Sequence, residues 1–160
     1  MSFYYPKPRY AGENGEISAE YRRSGEQPDY ADGPVSYHYL ATNKSTKGEY
    51  GLYRVEFAAN TAGPTTHFHR AMSEAFFILS GTMRLYDGRQ WMDARAGDFL
   101  YVPPGGRHAF RNDSAQAASF LLLFAPGADR EGYFENVSKL AHLTDEERTQ
   151  FFHDHDSFFL

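Results

Sequence analysis

The chain has 160 residues, enough for one domain with extra segments at its ends and too few for two average ones. It contains no cysteine, which removes disulfide frameworks, zinc knuckles, iron–sulfur clusters and thiol nucleophiles together and leaves histidine, carboxylates and hydroxyls to carry any chemistry. The charge is balanced up to Pro126, and the net −5 arises after it, so the dense Lys/Arg surface needed for nucleic acid or anionic membrane is missing.

Residues 1–34 are rich in Gly, Pro, Glu and Tyr without a sustained period of 2 or 3.6 and read as an irregular N-terminal arm. The arm's aromatics, Tyr4, Tyr5, Tyr10, Tyr21 and Tyr30, are expected to pack onto something. Met1 to Tyr10 has no apolar stretch of the signal-peptide kind, so a soluble cytoplasmic protein is expected. From Val35 the texture changes to short Val-, Phe- and Tyr-rich stretches separated by Gly, Pro, Asn and Asp. Strands are predicted near Val35–Ala41, Tyr50–Ala58, Thr65–His69, Ala75–Leu79, Thr82–Tyr86, Gln90–Ala94, Phe99–Val102, His108–Arg111 and Ala118–Phe124, the pattern of an all-β sandwich or barrel. Asp87-Gly88 predicts a two-residue hairpin turn. Phe120 to Ala125, the longest apolar run, falls far short of the roughly 20 residues of a membrane helix.

After Pro126-Gly127 the strand texture stops. Tyr133, Phe134, Val137 and Leu140 recur at helical spacing between Ala128 and His142, and Thr144-Asp145-Glu146-Glu147 has the form of a capping box. Two short C-terminal helices are expected. The domain reading is an arm over 1–34, a β-barrel over 35–126 and a helical extension over 127–160.

Residues 67 to 74 read His-Phe-His-Arg-Ala-Met-Ser-Glu. Side chains two apart on a strand share a face, so His67 and His69 converge while Phe68 turns away. Glu74 opens the next strand, and His108 follows the Pro103-Pro104-Gly105-Gly106 turn. Three imidazoles and one carboxylate suit a borderline divalent metal: Mn, Fe, Co, Ni, Cu or Zn. Parity places Phe76 and Ile78 on the face of Glu74, and Phe110 on that of His108, where they would wall a substrate pocket. His38 is a further candidate for lining it. His153-Asp154-His155-Asp156 has metal-binding residue types but reads as a solvated, frayed end.

The two motifs resemble those of the cupin superfamily. His67-x-His69-x4-Glu74-x6-Gly81 matches the first from its first histidine onward, and Gly97-x5-Pro103-x-Gly105-x2-His108-x3-Asn112 matches every fixed position of the second. The first motif's leading glycine falls on Thr61, with Gly63 nearby. The resemblance implies a small double-stranded antiparallel β-barrel, the jelly roll, with one divalent transition metal held by His67, His69, Glu74 and His108. The arm and the Pro-Gly segment leading into aromatic helices further resemble quercetinase-type flavonol dioxygenases. That implies a small-molecule substrate, flavonol-like or otherwise enolisable and aromatic, reacting with O2, with Glu74 as a candidate catalytic base. Two alternatives stay open: an isomerase or polyketide cyclase-like enzyme that uses no O2, and a non-catalytic small-molecule-binding protein. A homodimer is expected because barrel sheets rich in Tyr and Phe favour self-association. No nucleic-acid or membrane partner is expected.

Overall fold

Gly51–Phe57 buries every second side chain, Tyr53, Val55 and Phe57 among them, and Ala118–Ala125 does the same with Phe120, Leu122 and Phe124. A period of two is what a strand with one face on a core requires. In the computed structural model, which describes residues 4–160, these two stretches are neighbours in one antiparallel sheet. The strands in chain order are β1 (Tyr30–Asp32), β2 (Val35–Ala41), β3 (Gly51–Phe57), β4 (His67–Phe68), β5 (Ser73–Ser80), β6 (Thr82–Tyr86), β7 (Trp91–Arg95), β8 (Phe99–Val102), β9 (Ala109–Arg111), β10 (Ala118–Ala125) and β11 (Phe158–Phe159). Six form a sheet in the order β1-β2-β3-β10-β5-β8, three form β7-β6-β9, and β11 pairs with β4.

The larger sheets face each other across an apolar core. Met83, Leu85 and Phe110 of the small sheet meet Phe76, Ile78 and Phe120 of the large one. The ring of Phe110 lies 5.0 Å from that of Phe76 and 5.9 Å from that of Phe120. This is the expected jelly-roll architecture, although its sheets do not close into one hydrogen-bonded barrel. Isolated bridges, Thr61 to Asn112 and His67 to His108, join the layers at one end.

Asn112, buried and central to the second motif, ties the loops at that end. Its amide nitrogen donates to the carbonyls of Ala58 (2.9 Å) and Gln116 (2.8 Å), and its oxygen accepts from Ser114 N (2.9 Å) and Oγ (2.7 Å). The missing motif glycine is explained here. Thr61 occupies its position and hydrogen-bonds Ala58, while Gly63 makes the close approach: a Cβ there would sit 1.9 Å from the Phe110 carbonyl oxygen.

Several expectations are corrected. The Asp87-Gly88 turn is a four-residue loop, because Tyr86 pairs with Trp91 and the Asp87 carboxylate accepts from the backbone N–H of Arg89 and Gln90 instead. The 128–142 helix is α1 (Arg130–Asn136) followed by a 3₁₀ turn over Val137–His142. The capping box of Thr144 and Glu147 opens α2 (Asp145–Asp154) as expected. Among the arm's aromatics, Tyr4, Tyr5 and Tyr21 are largely exposed and Tyr10 is half-exposed, whereas Tyr30 lies on β1 and stacks on Tyr37. Residues 1–3 of the arm lie outside the described residues. No described helix is long and apolar enough to cross a membrane.

Asn112→Ala would remove all of these bonds and leave the Ser114 N–H unpaired, while the Ala58 and Gln116 carbonyls each keep one donor, the hydroxyls of Thr61 (2.8 Å) and Ser114 (2.9 Å). At about 1–3 kcal/mol for a buried group left unpaired, a net loss of at least ~1 kcal/mol is expected in urea unfolding. A change within 0.5 kcal/mol would mean that these loops are held by other contacts.

Candidate metal centre

Each of the four residues singled out by the two motifs is placed by backbone pairing. His67 and His108 exchange two backbone hydrogen bonds of 3.0 Å, which brings the strand after Pro64 against the turn after Gly106. His69 follows β4 on the same face as His67, and the Gly105 N–H donates to its carbonyl. Glu74 lies on β5 between Phe124 of β10 and Val102 of β8. All four side chains are buried, and one potential ligand atom from each lies within 4.8 Å of the other three.

The imidazoles are oriented by main-chain carbonyls. Nδ1 of His67 donates to Thr65 O (2.8 Å), Nδ1 of His69 to Asp156 O (2.5 Å), and Nδ1 of His108 to Gly106 O (3.0 Å). A carbonyl can only accept, so Nδ1 carries the proton and Nε2 faces inward in all three, the arrangement by which histidine ligands of metals are commonly fixed. Oε2 of Glu74 lies 2.6 Å from His108 Nε2 and 2.9 Å from His69 Nε2.

The electrostatics follow from this crowding. Burial, reinforced by the nearby charge of His108, pushes His67 down to about 4 and keeps it neutral at pH 7. Burial opposes ionisation of Glu74, but the charge and hydrogen bond of His108, with the hydrogen bond of His69, outweigh it and hold the carboxyl well below its usual range. Burial likewise opposes protonation of His108, and the Glu74 carboxylate overcomes it and raises the imidazole. In the metal-free protein both shifts favour an imidazolium–carboxylate pair over the neutral one. The donor set fits a divalent first-row ion, which would take the place of the proton on His108; it does not select among Mn, Fe, Co, Ni, Cu and Zn.

The site opens on a cavity of about 380 Å³. His67 and Glu74 lie in its wall, with aromatic surface from Tyr37, Phe57, Phe110, Phe124 and Phe134. The segment after Pro126 also contributes Arg130, Tyr133 and Phe159, residues that the sequence argument did not single out for the pocket. The spacing of Tyr133 and Phe134 signalled only a helix face.

The sequence-predicted pocket residues divide. Phe110 lines the cavity. Phe76 and Ile78 share the face of Glu74 but are packed into the core below, Phe76 with its ring 6.1 Å from that of His108. His38 is on the opposite face: its neighbours Tyr37 and Val55 point to the cavity, while its ring meets the Arg54 guanidinium at 3.1 Å beneath arm residue Ser24. The frayed end expected over 153–156 is likewise corrected. The Asp156 carboxylate accepts from the N–H groups of Arg70 (3.0 Å) and Ala71 (2.8 Å), Ser157 is buried, and Phe159 stacks on His67 with centroids 5.0 Å apart.

Residues 53–124 match the family described as Cupin domain. The chain carries a cupin domain. One relative, quercetin 2,3-dioxygenase of Bacillus subtilis (strain 168), is 29% identical over 96 residues, a match covering 57% of this chain and only 27% of that protein. Solved cupins share the fold over more of the chain. An RmlC-like cupin from Shewanella frigidimarina is 21% identical, with 71% of this chain and 96% of that one covered at a TM-score of 0.58. The polyketide cyclase RemF from Streptomyces resistomycificus is 18% identical, with coverages of 67% and 78% at a TM-score of 0.56.

Elemental analysis of the purified protein is expected to find about one transition metal per chain, abolished by His67→Ala, His69→Ala or His108→Ala. Full occupancy in all three variants would place the metal elsewhere. Because the proton on His108 competes with the ion, affinity should rise with pH until His108 loses that proton and level off above. Below pH 6.5, where a raised His108 holds its proton, titration calorimetry in buffers of different ionisation enthalpy should register proton release on metal binding; none released would contradict the imidazolium–carboxylate pair.

Proposed function

We propose that this cupin is a metal-dependent dioxygenase of a small enolisable aromatic molecule, flavonol-like in kind. The observation that carries the reading is the clustering of three imidazoles with one carboxylate, two of the four, His67 and Glu74, lying in the wall of an aromatic-lined cavity. The relative named quercetin 2,3-dioxygenase supports the choice of substrate class. His67, His69, Glu74 and His108 hold the divalent ion, which when bound supplies Lewis acidity toward a substrate oxygen and, if redox-active, access to O2 chemistry.

The chain's own residues do the rest. Oε2 of Glu74 faces the imidazoles, and Oε1 accepts no hydrogen bond from the described residues, so one carboxylate can serve the ion while still taking the substrate's hydroxyl proton. Ring faces of Phe57, Phe110, Phe124 and Phe134 suit a flat aromatic body, and the tail from Arg130 to Phe159 covers the cavity and limits water. The expected homodimer belongs to the same reading. Phe77, Phe99 and Tyr101 lie exposed on paired β5 and β8, and light scattering should give twice the chain mass.

The test is oxygen uptake by metal-reconstituted protein with quercetin and related enolisable aromatics, run aerobically and anaerobically. Turnover that consumes O2 is expected. Turnover without O2 would assign an isomerase or cyclase-like proton transfer, and binding without turnover a non-catalytic role. Glu74→Gln keeps the shape and loses the charge and basicity, so it should bind metal more weakly but measurably. Its turnover per bound metal should fall at least ~10²-fold, the typical contribution of a positioned base. Unchanged turnover per metal would remove Glu74 from the proton transfer.

A further inference from the structure

The cavity holds a cation that the metal site does not use. Arg130 opens α1 and is only 4% exposed, yet no carboxylate among the described residues lies within 4.0 Å of its guanidinium. Nη1 donates to the His155 carbonyl (2.8 Å), Nη2 has no protein hydrogen bond, and Nε is buried without any partner. The remainder of the group rests on ring faces, 4.1 Å from the Tyr133 centroid, 4.7 Å from that of Phe124 and 5.7 Å from that of Phe134. One carbonyl and three π faces are thin compensation for a buried charge with five N–H donors. Such a residue is held ready for an anion that enters from outside the chain.

The charges of the cavity point the same way. Glu74 and Asp32 are the carboxylates in its wall, and a divalent ion would cancel both, leaving Arg130 as surplus positive charge in an apolar enclosure. A neutral ligand would leave that charge uncompensated, and a ligand with a second anionic oxygen would not.

We propose that Arg130 is the receptor for a second anionic oxygen of the ligand, so that the molecule bound here is an acidic aromatic with one oxygen at the metal centre and another, a carboxylate or an ionised phenol, on the guanidinium. The planar fork of arginine suits a carboxylate best, because two parallel N–H donors can meet its two oxygens. This rests on the reading of the cavity as the substrate pocket and deepens it. The residue comes from the C-terminal segment, outside residues 53–124 that match the cupin domain.

The experiment compares 3-hydroxyflavone with its 4′-carboxylate, by anaerobic titration calorimetry on zinc-loaded and on metal-free protein, with the ligand recovered afterwards to check that it is unchanged. Wild type should bind the carboxylate at least about tenfold tighter than the parent in both forms. Arg130→Met should abolish that preference while leaving the parent's affinity within about threefold, and Arg130→Lys should retain part of it. Equal affinity of wild type for the two probes, with the parent itself binding, would overturn the receptor while leaving the substrate class standing. If neither flavone binds, benzoate and phenol decide: benzoate binding that Arg130→Met abolishes supports the receptor and overturns the flavonol-like reading, and no benzoate binding overturns both. Should the Met variant fail to fold, the preference in wild type and its partial retention in Arg130→Lys carry the test.

Discussion

Glu74 carries a negative charge on a side chain only 3% exposed, and much of the architecture around it answers to that charge. A carboxylate so placed is tolerated only with counter-charge or hydrogen bonds at close range. Three histidines surround it, and His108 accepts a proton against its own burial to balance it. The same arrangement is a metal site in waiting. Each Nδ1 is spent on a main-chain carbonyl, and Nε2 of His69 and of His108 is left on the carboxylate.

The cupin sheets supply the ligands, but they do not by themselves enclose a pocket. One wall is the inner face of β2, β3 and β10, where Tyr37, Val55 and Leu122 point inward. The other is built after Pro126 from Tyr133, Phe134, Phe152 and Phe159. Tyr37 and Phe134 stack across this junction at 4.5 Å, and Tyr39 closes its edge by donating to the Glu135 carboxylate (2.9 Å). The apolar surface of the helical segment is thus spent on shaping a cavity as well as on stabilising the fold.

What could be read from the sequence follows from how local each feature is. His67 and His69 share a face because the period of two holds across β4 whatever the rest of the chain does. Parity also put Phe76 and Ile78 on the correct face of β5, but it carries no information about depth along the strand, and one and two turns of the pleat beyond Glu74 lead into packed core. For His38 the alternation Tyr-His-Tyr left open which side faces in. That is decided by the pairing of Tyr37 with Val55 and of His38 with Arg54, a register between strands. The tail was least legible, since contacts such as that of Asp156 with His69 span 87 residues and leave no periodic trace.

That contact also couples the end of the chain to the metal ligands. Asp156 adopts a left-handed backbone conformation (φ 53°), uncommon for a residue with a side chain, and its three acceptors all point toward the segment that carries His69. The carbonyl fixes the tautomer and plane of His69, while the carboxylate caps the loop that follows. β11 then pairs with β4 and lays Phe159 on His67. Any ion that favours this orientation of His69 must, by linkage, favour the docked tail by the same free energy, and a tail displaced from β4 would release one ligand and uncover another. Cover and ligand shell are consequently parts of one equilibrium, and Arg130, tied to His155 one residue before Asp156, belongs to it as well.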